Sequence, residues 1–309
     1  RQMCIRDRLI DYPGFNFRMA KFAHGCGIRV FYYISPKVWA WKEHRVERIR
    51  RYVDKLFIIF PFEVEYFARR GIDAVYEGNP LMDAIAERCA AMPPREEFFR
   101  ANGFGARSVI ALLAGSRRSE VRNNLPFMAA LAELMPEYDF VLAAVPWLDR
   151  ELYGELLAGS RIICLYDKTY EIVRYADAAV VTSGTATLET ALIGTPEVVC
   201  YRTDALTVWA GRRLLKIPYI SLVNLVMGRE VVKELIQQEM TPERAAEELR
   251  AILPGGGQRE RMLADYDALR KRIGGPGASE RVAARMVALL KGEKAPRPTE
   301  REQENGGAK

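Results

Sequence analysis

The sequence has little histidine, no paired cysteines and no long apolar run. With only His24 and His44 in 309 residues, it argues against a histidine metal site. The five cysteines are scattered and odd in number, which is typical of small core residues in a reducing cytoplasm rather than of disulfides. Because no apolar stretch is about 20 residues long, we expect no transmembrane helix.

The composition is that of a globular protein with a positive charge. The chain is 49% hydrophobic and 28% charged, and its length suits two domains. A net charge of +6 favours anionic partners such as nucleotides, sugar phosphates or an anionic membrane surface. The densest basic run, Arg45–Arg51, falls on one predicted helix face, so we expect no nucleic-acid partner.

Residues 176–202 form the most informative stretch. Ala178–Val181 is a short apolar run, typical of a strand buried on both faces. A turn, Thr182–Thr185, precedes a predicted helix that Gly194 ends, and Glu197–Tyr201 is the next strand. A helix that begins just after a parallel strand presents free N–H groups and its dipole to an anion.

This turn has two interpretations that the stretch alone leaves open. In the first, Ser183, Gly184 and Thr185 bind a phosphate, and Glu189 reaches a sugar hydroxyl one turn later. In the second, Ser183 or Thr185 only caps the helix and Glu189 is a solvated carboxylate.

Strands and helices alternate along the whole chain, which predicts an α/β protein of two doubly wound parallel-sheet domains that face each other. Met92-Pro93-Pro94 suggests the boundary. We expect a first domain at residues 1–92 and a second at 93–275. Within the second domain, helices are predicted from Val231 onward. A terminal helix at 276–291 should pack toward the first domain, and the charged segment 292–309 should be a disordered tail.

Several polar loops fall at the predicted carboxyl ends of strands, where such sheets bind ligands. Asp11, Ser35–Trp41 and Asn79 follow strands of the first domain, and Gly115–Glu120 and Ser183–Glu189 follow strands of the second. One cleft between the two sheets would gather all of them.

Each of these residues also has a plainer interpretation. Arg117 could grip a diphosphate or simply pair with Glu120. Asp11 could be a general base or a turn aspartate before Pro13. Trp39 could stack on a sugar, dip into lipid or pack in a core.

Five motifs occur in a fixed order along the chain: Tyr33–Trp41 (YISPKVWAW), Pro61–Glu63 (PFE), Leu112–Glu120 (LLAGSRRSE), Ser183–Glu189 (SGTATLE) and Asn224–Glu230 (NLVMGRE). In sequence and in order they closely resemble the lipid-A-disaccharide synthases, glycosyltransferases of the GT-B fold. The resemblance covers residues 9–290. It implies two Rossmann-like domains facing a cleft, with the first domain incomplete.

The resemblance also implies a reaction. A UDP-linked 2,3-diacylglucosamine is the donor and 2,3-diacylglucosamine 1-phosphate (lipid X) the acceptor, and inverting transfer gives the disaccharide 1-phosphate and UDP without metal or cofactor. The family's base matches Asp11, and the UDP-sugar residues match Arg117, Ser183, Gly184, Thr185, Ala186, Glu189 and Asn224. Candidates for the acceptor or the cleft are Ser35, Trp39, Asn79, Glu120, Arg202, Arg229 and Glu230.

Some expectations concern the whole protein. The family's first loop, strands and helices have no counterpart here, which predicts an N-terminal truncation and weak activity of this chain. Acylated substrates imply a cytoplasmic protein held peripherally at the inner membrane, with the basic helix Glu43–Tyr52 and Arg212/Arg213 as its contacts. Rival interpretations are another GT-B enzyme, such as a UDP-sugar 2-epimerase or a lipid-linked N-acetylglucosaminyl transferase, and a non-catalytic UDP-sugar-binding protein. An oligomer is compatible with the sequence.

Overall fold

The computed structural model describes residues 6–40, 43–202 and 218–292, which divide into two compact units. The first unit contains residues up to Val38, His44–Asp83 and the segment from Gly275. The second contains Trp39–Glu43 and Ala84–Gly274. The predicted helix Ala205–Leu215 with Arg212 and Arg213, Trp41 and the predicted tail beyond residue 292 lie outside the described residues.

The first unit is built on a parallel sheet of four strands in the order β1-β2-β3-β4. Its elements are β1 (Arg6–Ile10), α1 (Pro13–Gly25), β2 (Arg29–Tyr33), α2 (Val46–Tyr52), β3 (Lys55–Ile58), α3 (Phe62–Ala68), β4 (Ala74–Tyr76) and the start of α4 (Leu81–Ala90). Apolar residues of α1, α2 and α3 pack on one face of the sheet in a single core. Burial of these alternating apolar side chains is what holds the helices to the strands.

The second unit is a parallel sheet of six strands in the order β10-β9-β8-β5-β6-β7. Its elements are α5 (Arg95–Asn102), β5 (Val109–Leu113), α6 (Arg118–Leu134), β6 (Asp139–Ala144), α7 (Arg150–Leu156), β7 (Ile163–Tyr166), α8 (Thr169–Tyr175), β8 (Ala178–Thr182), α9 (Thr185–Ile193), β9 (Glu197–Tyr201), α10 (Leu222–Met227), β10 (Lys233–Ile236), α11 (Pro242–Ile252) and α12 (Arg259–Ile273). The strand order reverses between β5 and β8. This topological switch point is where such sheets bind ligands.

These two sheets confirm the predicted α/β class with Rossmann-like units. The division at Asp83 and Ala84 comes earlier than the sequence suggested, because the Asp83 carboxylate accepts hydrogen bonds from the backbone of Ala278 (3.2 Å) and Ser279 (2.9 Å). These two residues begin the last helix, α13 (Ala278–Lys291), so Asp83 belongs with that helix in the first unit.

Two element predictions were wrong. Helix α6 begins at Arg118, within the predicted polar loop Gly115–Glu120, because the Glu120 carboxylate accepts a hydrogen bond from the backbone N–H of Arg117 (3.2 Å) and so caps the first turn. Lys233–Ile236 is strand β10 and not part of a helix, because its backbone pairs with β9 at the sheet edge. Such long-range pairing leaves no local signal in the sequence.

Candidate functional site

The two loops at the switch point are held together by one buried side chain, Asn124 of α6. Its Nδ2 donates hydrogen bonds to the carbonyl of Ala114, just after β5 (3.1 Å), and to Oγ1 of Thr182, at the end of β8 (2.9 Å). Asn124 is 1% exposed, so these bonds are shielded from water. The predicted loops Gly115–Glu120 and Ser183–Glu189 are therefore neighbours, as their place at the carboxyl edge required.

The loop after β5 is folded around the Glu120 carboxylate. Gly115 has φ +112°, and a Cβ there would lie 2.5 Å from Cβ of Glu120, so only glycine fits. Glu120 accepts hydrogen bonds from the backbone N–H of Ser116 (2.9 Å) and from Nη1 of Arg117 (2.8 Å). The Arg117 side chain is 79% exposed, so it pairs with Glu120 while its guanidinium stays open to a ligand.

The turn after β8 leads directly into α9. Ser183 Oγ donates to the carbonyl of Ile220 (3.0 Å), and Thr187 Oγ1 donates to the carbonyl of Gly184 (2.9 Å). These hydroxyls brace the turn, while Gly184 and Thr185 are exposed and Ala186 is half-buried. The first backbone N–H groups of a helix have no partner within the helix, so this end of α9 offers donors to an anion.

Two residues that contact these loops also line a cavity of about 450 Å³, which sequence reasoning missed. Trp147 follows β6 and donates from Nε1 to the carbonyl of Ser116 (3.0 Å). Tyr170, in the first turn of α8, donates its hydroxyl to Oε1 of Glu189 (3.1 Å). Both residues line the cavity and lie just beyond the carboxyl ends of β6 and β7, so the rule applied to β5 and β8 would have found them.

Glu189 is held within this group rather than solvated as a first-turn carboxylate. Burial raises its pKa, and the hydrogen bond from Tyr170 lowers it by less. Burial, and after it the charge and hydrogen bond of Glu189, raise the pKa of Tyr170 beyond its usual range. The carboxyl is therefore positioned by Tyr170 at the edge of the cavity.

The late asparagine, Asn224, has no hydrogen-bonding capacity left for a ligand. Its Oδ1 accepts from the backbone N–H of Val231 (2.7 Å) and Val232 (3.0 Å). Its Nδ2 donates to the carbonyl of Val232 and to Glu234, each at 2.9 Å. Asn224 is fully buried, so in this structure it fixes the connection between α10 and β10 and does not present its amide to a sugar.

Three other predicted cleft residues of the second unit are bonded to neighbouring groups. Arg202 follows β9 and donates to the carbonyl of Met240 (2.7 Å). Arg229 makes a bidentate ion pair with Asp265, and Glu230 lies 3.5 Å from the Lys233 ammonium. Because β10 runs parallel to β9, Arg229 and Glu230, which precede β10, lie at the amino edge of the sheet. This placement is contrary to their predicted role beside the ligand-binding loops.

In the first unit, Asp11 follows β1 in a strained backbone conformation. Asp11 and Tyr12 have φ of +46° and +38°, a region that side chains other than glycine rarely adopt. The Asp11 carbonyl accepts hydrogen bonds from Tyr32 Oη (2.6 Å) and Asn16 Nδ2 (2.5 Å), while its carboxylate side chain is exposed. Buried partners thus hold the strained turn and leave the carboxylate accessible.

Ser35 and Asn79 are less available than predicted. Ser35 is 4% exposed and bonds to the carbonyl of Pro36 (3.2 Å). Asn79 is 3% exposed, donates to the carbonyl of Ile59 and accepts from the N–H of Leu81, each at 2.9 Å. Both side chains therefore hold the shape of loops at the carboxyl edge of the sheet. Trp39, which follows Ser35 in the chain after β2, is half-buried.

Two features are absent from the described residues. In residues 6–40, 43–202 and 218–292, no three or more His, Cys, Asp or Glu side chains are grouped so that they could hold a metal ion. No helix in the same ranges is long and apolar enough to cross a membrane.

Comparison with solved structures defines the class of the fold. The chain aligns with a UDP-GlcNAc 2-epimerase from Neisseria meningitidis bound to UDP-GlcNAc at a TM-score of 0.62 and 14% identity, covering 92% of this chain and 76% of that one. It aligns with Os79 of O. sativa in complex with UDP at a TM-score of 0.57 and 13% identity, covering 92% and 77%. At such low identity these likenesses show the fold alone, which is the GT-B fold.

Sequence comparison then gives the family. The family described as Lipid-A-disaccharide synthetase matches residues 7–283. The lipid-A-disaccharide synthase of Myxococcus xanthus is 40% identical over 288 residues, covering 91% of this chain and 74% of the relative. That of Syntrophus aciditrophicus is 42% identical over 295 residues, covering 92% and 75%. The chain belongs to the lipid-A-disaccharide synthase family and is a glycosyltransferase, which confirms the resemblance read from the five motifs.

Proposed function

We propose that the chain transfers 2,3-diacylglucosamine from UDP to the 6-hydroxyl of 2,3-diacylglucosamine 1-phosphate, with inversion at the anomeric carbon. The products are the β-1,6-linked disaccharide 1-phosphate and UDP. Membership of the family supports the reaction class, since its members are named lipid-A-disaccharide synthases and use a UDP-sugar and a lipid acceptor.

The observation that carries the proposal for catalysis is the exposed carboxylate of Asp11 on its strained turn. Strained backbone persists only where neighbouring groups enforce it, and it is concentrated at functional sites. In the proposed mechanism Asp11 removes the proton from the acceptor hydroxyl as its oxygen attacks the anomeric carbon. The bond from that carbon to the UDP oxygen breaks at the same time.

The departing UDP gains negative charge, and the second unit offers groups that would stabilise it. Arg117 can exchange its contact with Glu120 for a bidentate contact with the diphosphate. The N–H groups at the start of α9 supply further donors. Trp147 and Tyr170 line a cavity of about 450 Å³, which has room and aromatic surface for a nucleoside, and Glu189 lies beside it to accept from a ribose hydroxyl.

The proposal is tested with a thin-layer assay of radiolabelled lipid X and UDP-diacylglucosamine. The assay uses the chain alone and the chain preceded by the N-terminal segment of the Myxococcus xanthus relative. Asp11→Asn should lower turnover by about 100-fold or more while UDP binding is retained, because a general base contributes on this order. Glu65→Gln, an exposed carboxylate on α3, is the matched control and should leave turnover unchanged.

Two outcomes would contradict the proposal. Undiminished turnover by Asp11→Asn would remove Asp11 from the role of base. A folded, UDP-binding protein that makes no disaccharide but converts UDP-N-acetylglucosamine to its 2-epimer would favour the rival enzyme instead.

A further inference from the structure

The carboxylate of Glu234 is the centre of a hydrogen-bond network beside the turn that leads into α9. Glu234 lies in β10, the first strand in the order of the six-stranded sheet, and pairs with Val199 of β9. Its oxygens accept hydrogen bonds from the backbone N–H groups of Ile220 (3.0 Å) and Ser221 (2.9 Å) and from Nδ2 of Asn224 (2.9 Å). One side chain of the sheet thus holds three donors from the segment that precedes β10.

The network continues from Ile220 to the turn itself. The carbonyl of Ile220 accepts a hydrogen bond from Oγ of Ser183 (3.0 Å), while the N–H of the same residue is held by Glu234. The backbone N–H of Ser183 donates to the carbonyl of Cys200 in β9 (3.0 Å). Ser183 is therefore fixed at two points, by the sheet through Cys200 and by Glu234 through Ile220.

The residues that follow Ser183 are the ones with donors free for a ligand. Gly184 and Thr185 are exposed, and α9 begins at Thr185. The first N–H groups of a helix have no acceptor within the helix, and their direction follows that of the backbone. A loop that must be ordered when a ligand binds lowers the affinity, so a turn already held in place binds an anion more tightly.

The network needs a carboxylate at position 234. A carboxylate has only acceptor sites, so its two oxygens can face three N–H donors at the same time. Hydrogen bonds to a charged acceptor are also stronger than those to a neutral one. A glutamine in the same place would turn its NH₂ group toward one of the three donors and leave that donor without a partner.

We propose that Glu234 is a positioning residue for UDP binding. It holds the Ile220 peptide, this peptide holds Ser183, and the turn after Ser183 presents its N–H groups to the diphosphate. The inference rests on the proposed function, because it takes this turn as the diphosphate site. It also gives Asn224 a role in binding without contact, since the Asn224 amide donates to the same carboxylate.

The first test is a calorimetric titration of UDP into the chain and its variants, with urea denaturation of each as the measure of stability. Glu234→Gln should weaken UDP binding by about ten-fold. Glu247→Gln, at an exposed position of α11, is the matched control and should bind UDP as the unaltered chain does. Leu249→Ala, buried on the same helix and outside the network, should lower stability and leave UDP affinity unchanged. This variant separates a loss of binding from a loss of stability.

A double-mutant cycle then tests the route through Ser183. Ser183→Ala removes the hydrogen bond to the Ile220 carbonyl. In this background Glu234→Gln should weaken UDP binding by less than about two-fold, because residues that act through one contact are not additive. Glu234→Asp keeps the charge but withdraws it by one methylene, and should weaken UDP binding by about three-fold. This milder variant carries the test if Glu234→Gln does not fold.

Three outcomes would overturn the inference. Undiminished UDP affinity in the folded Glu234 variants would leave this carboxylate as a structural group of β10. Additive losses in the cycle would show that its effect does not pass through Ser183. Both of these results leave the proposed function standing, whereas absence of UDP binding by the unaltered chain would overturn the proposed UDP site and this inference together.

Discussion

Asn124 shows how a single residue can set the geometry of a site that it does not itself form. Its amide joins the end of β5 to the end of β8, which are neighbouring strands but 68 residues apart in their Ile110 and Ala178 pairing. Its Oδ1 is buried without a partner, so the side chain is held by its two donor bonds alone. The distance between the Arg117 loop and the start of α9 therefore depends on this amide.

Replacing this amide should harm both stability and ligand binding. Asn124→Ala leaves the Ala114 carbonyl and the Thr182 hydroxyl unpaired in a buried place, which should cost about 1–3 kcal/mol of the free energy of unfolding. UDP affinity should fall as the two loops separate. Asn123→Ala, at the exposed neighbouring position, is the control. Chemical denaturation and UDP calorimetry measure the two effects, and equal behaviour of both variants would show that the amide bridge is unimportant.

Helix α13 is the element that completes the first unit, although it comes last in the described chain. Val282 and Met286 pack with Phe31 and Phe57 of β2 and β3 in a cluster on the face of the sheet that α1, α2 and α3 leave uncovered. The Asp83 carboxylate accepts from the N–H groups at the start of the helix. Burial by itself raises the pKa of the Asp83 carboxyl. The hydrogen bonds from Ser279, Gly277 and Ala278 outweigh this effect and lower the pKa overall.

The contribution of α13 can be measured with two valines of the same helix. Val282 is 3% exposed and Val287 is 47% exposed. Val282→Ala removes buried methyl groups and should lower the free energy of unfolding by about 1–3 kcal/mol, whereas Val287→Ala should change it by less than about 0.5 kcal/mol. Urea denaturation of both variants is the measurement. Comparable losses would mean that the helix is not packed on the sheet as described.

At the scale of the whole molecule, the positive net charge affects the place at which the protein binds its acylated substrates. The net charge is +6, and helix α2 exposes Arg48, Arg50 and Arg51. Arg50 is bonded to Glu47 and to the carbonyl of Arg70, which leaves Arg48 and Arg51 as the freer charges. Because the surface of anionic lipid attracts such groups, we propose that this helix makes peripheral contact with the membrane.

A flotation assay tests this contact. The protein should float with vesicles that contain anionic lipid, should not float with neutral vesicles, and should be released by high salt. The double variant Arg48→Glu/Arg51→Glu should bind about ten-fold more weakly or worse. Arg122→Glu/Arg244→Glu makes the same change in net charge on two other helices and should bind better than the first variant. Equal losses would show that net charge, and not α2, governs the attraction.

The sequence by itself determined the class of fold and the family, and it predicted the chemistry at the two loops. The strand-turn-helix of Ala178–Ile193, the alternation of strands and helices and the Gly115 loop are all local features, because apolar period, capping and turn residues act over a few positions. The predicted neighbourhood of the loops followed from one rule about parallel strands.

The tertiary structure decided which hydrogen-bonding groups of each polar side chain remain available to a ligand. The side chains of Asn224 and Asn79 form hydrogen bonds with backbone groups that only folding brings close to them. Arg229 and Glu230 lie at the amino edge because β10 pairs with β9, which no local pattern announced. In the sequence, Glu197 is the polar first residue of a predicted strand. Only the packing of α11 and α12 makes it a buried acid beside a cavity. A side chain's type is written in the sequence, but its partners and its access to water arise from contacts between distant segments.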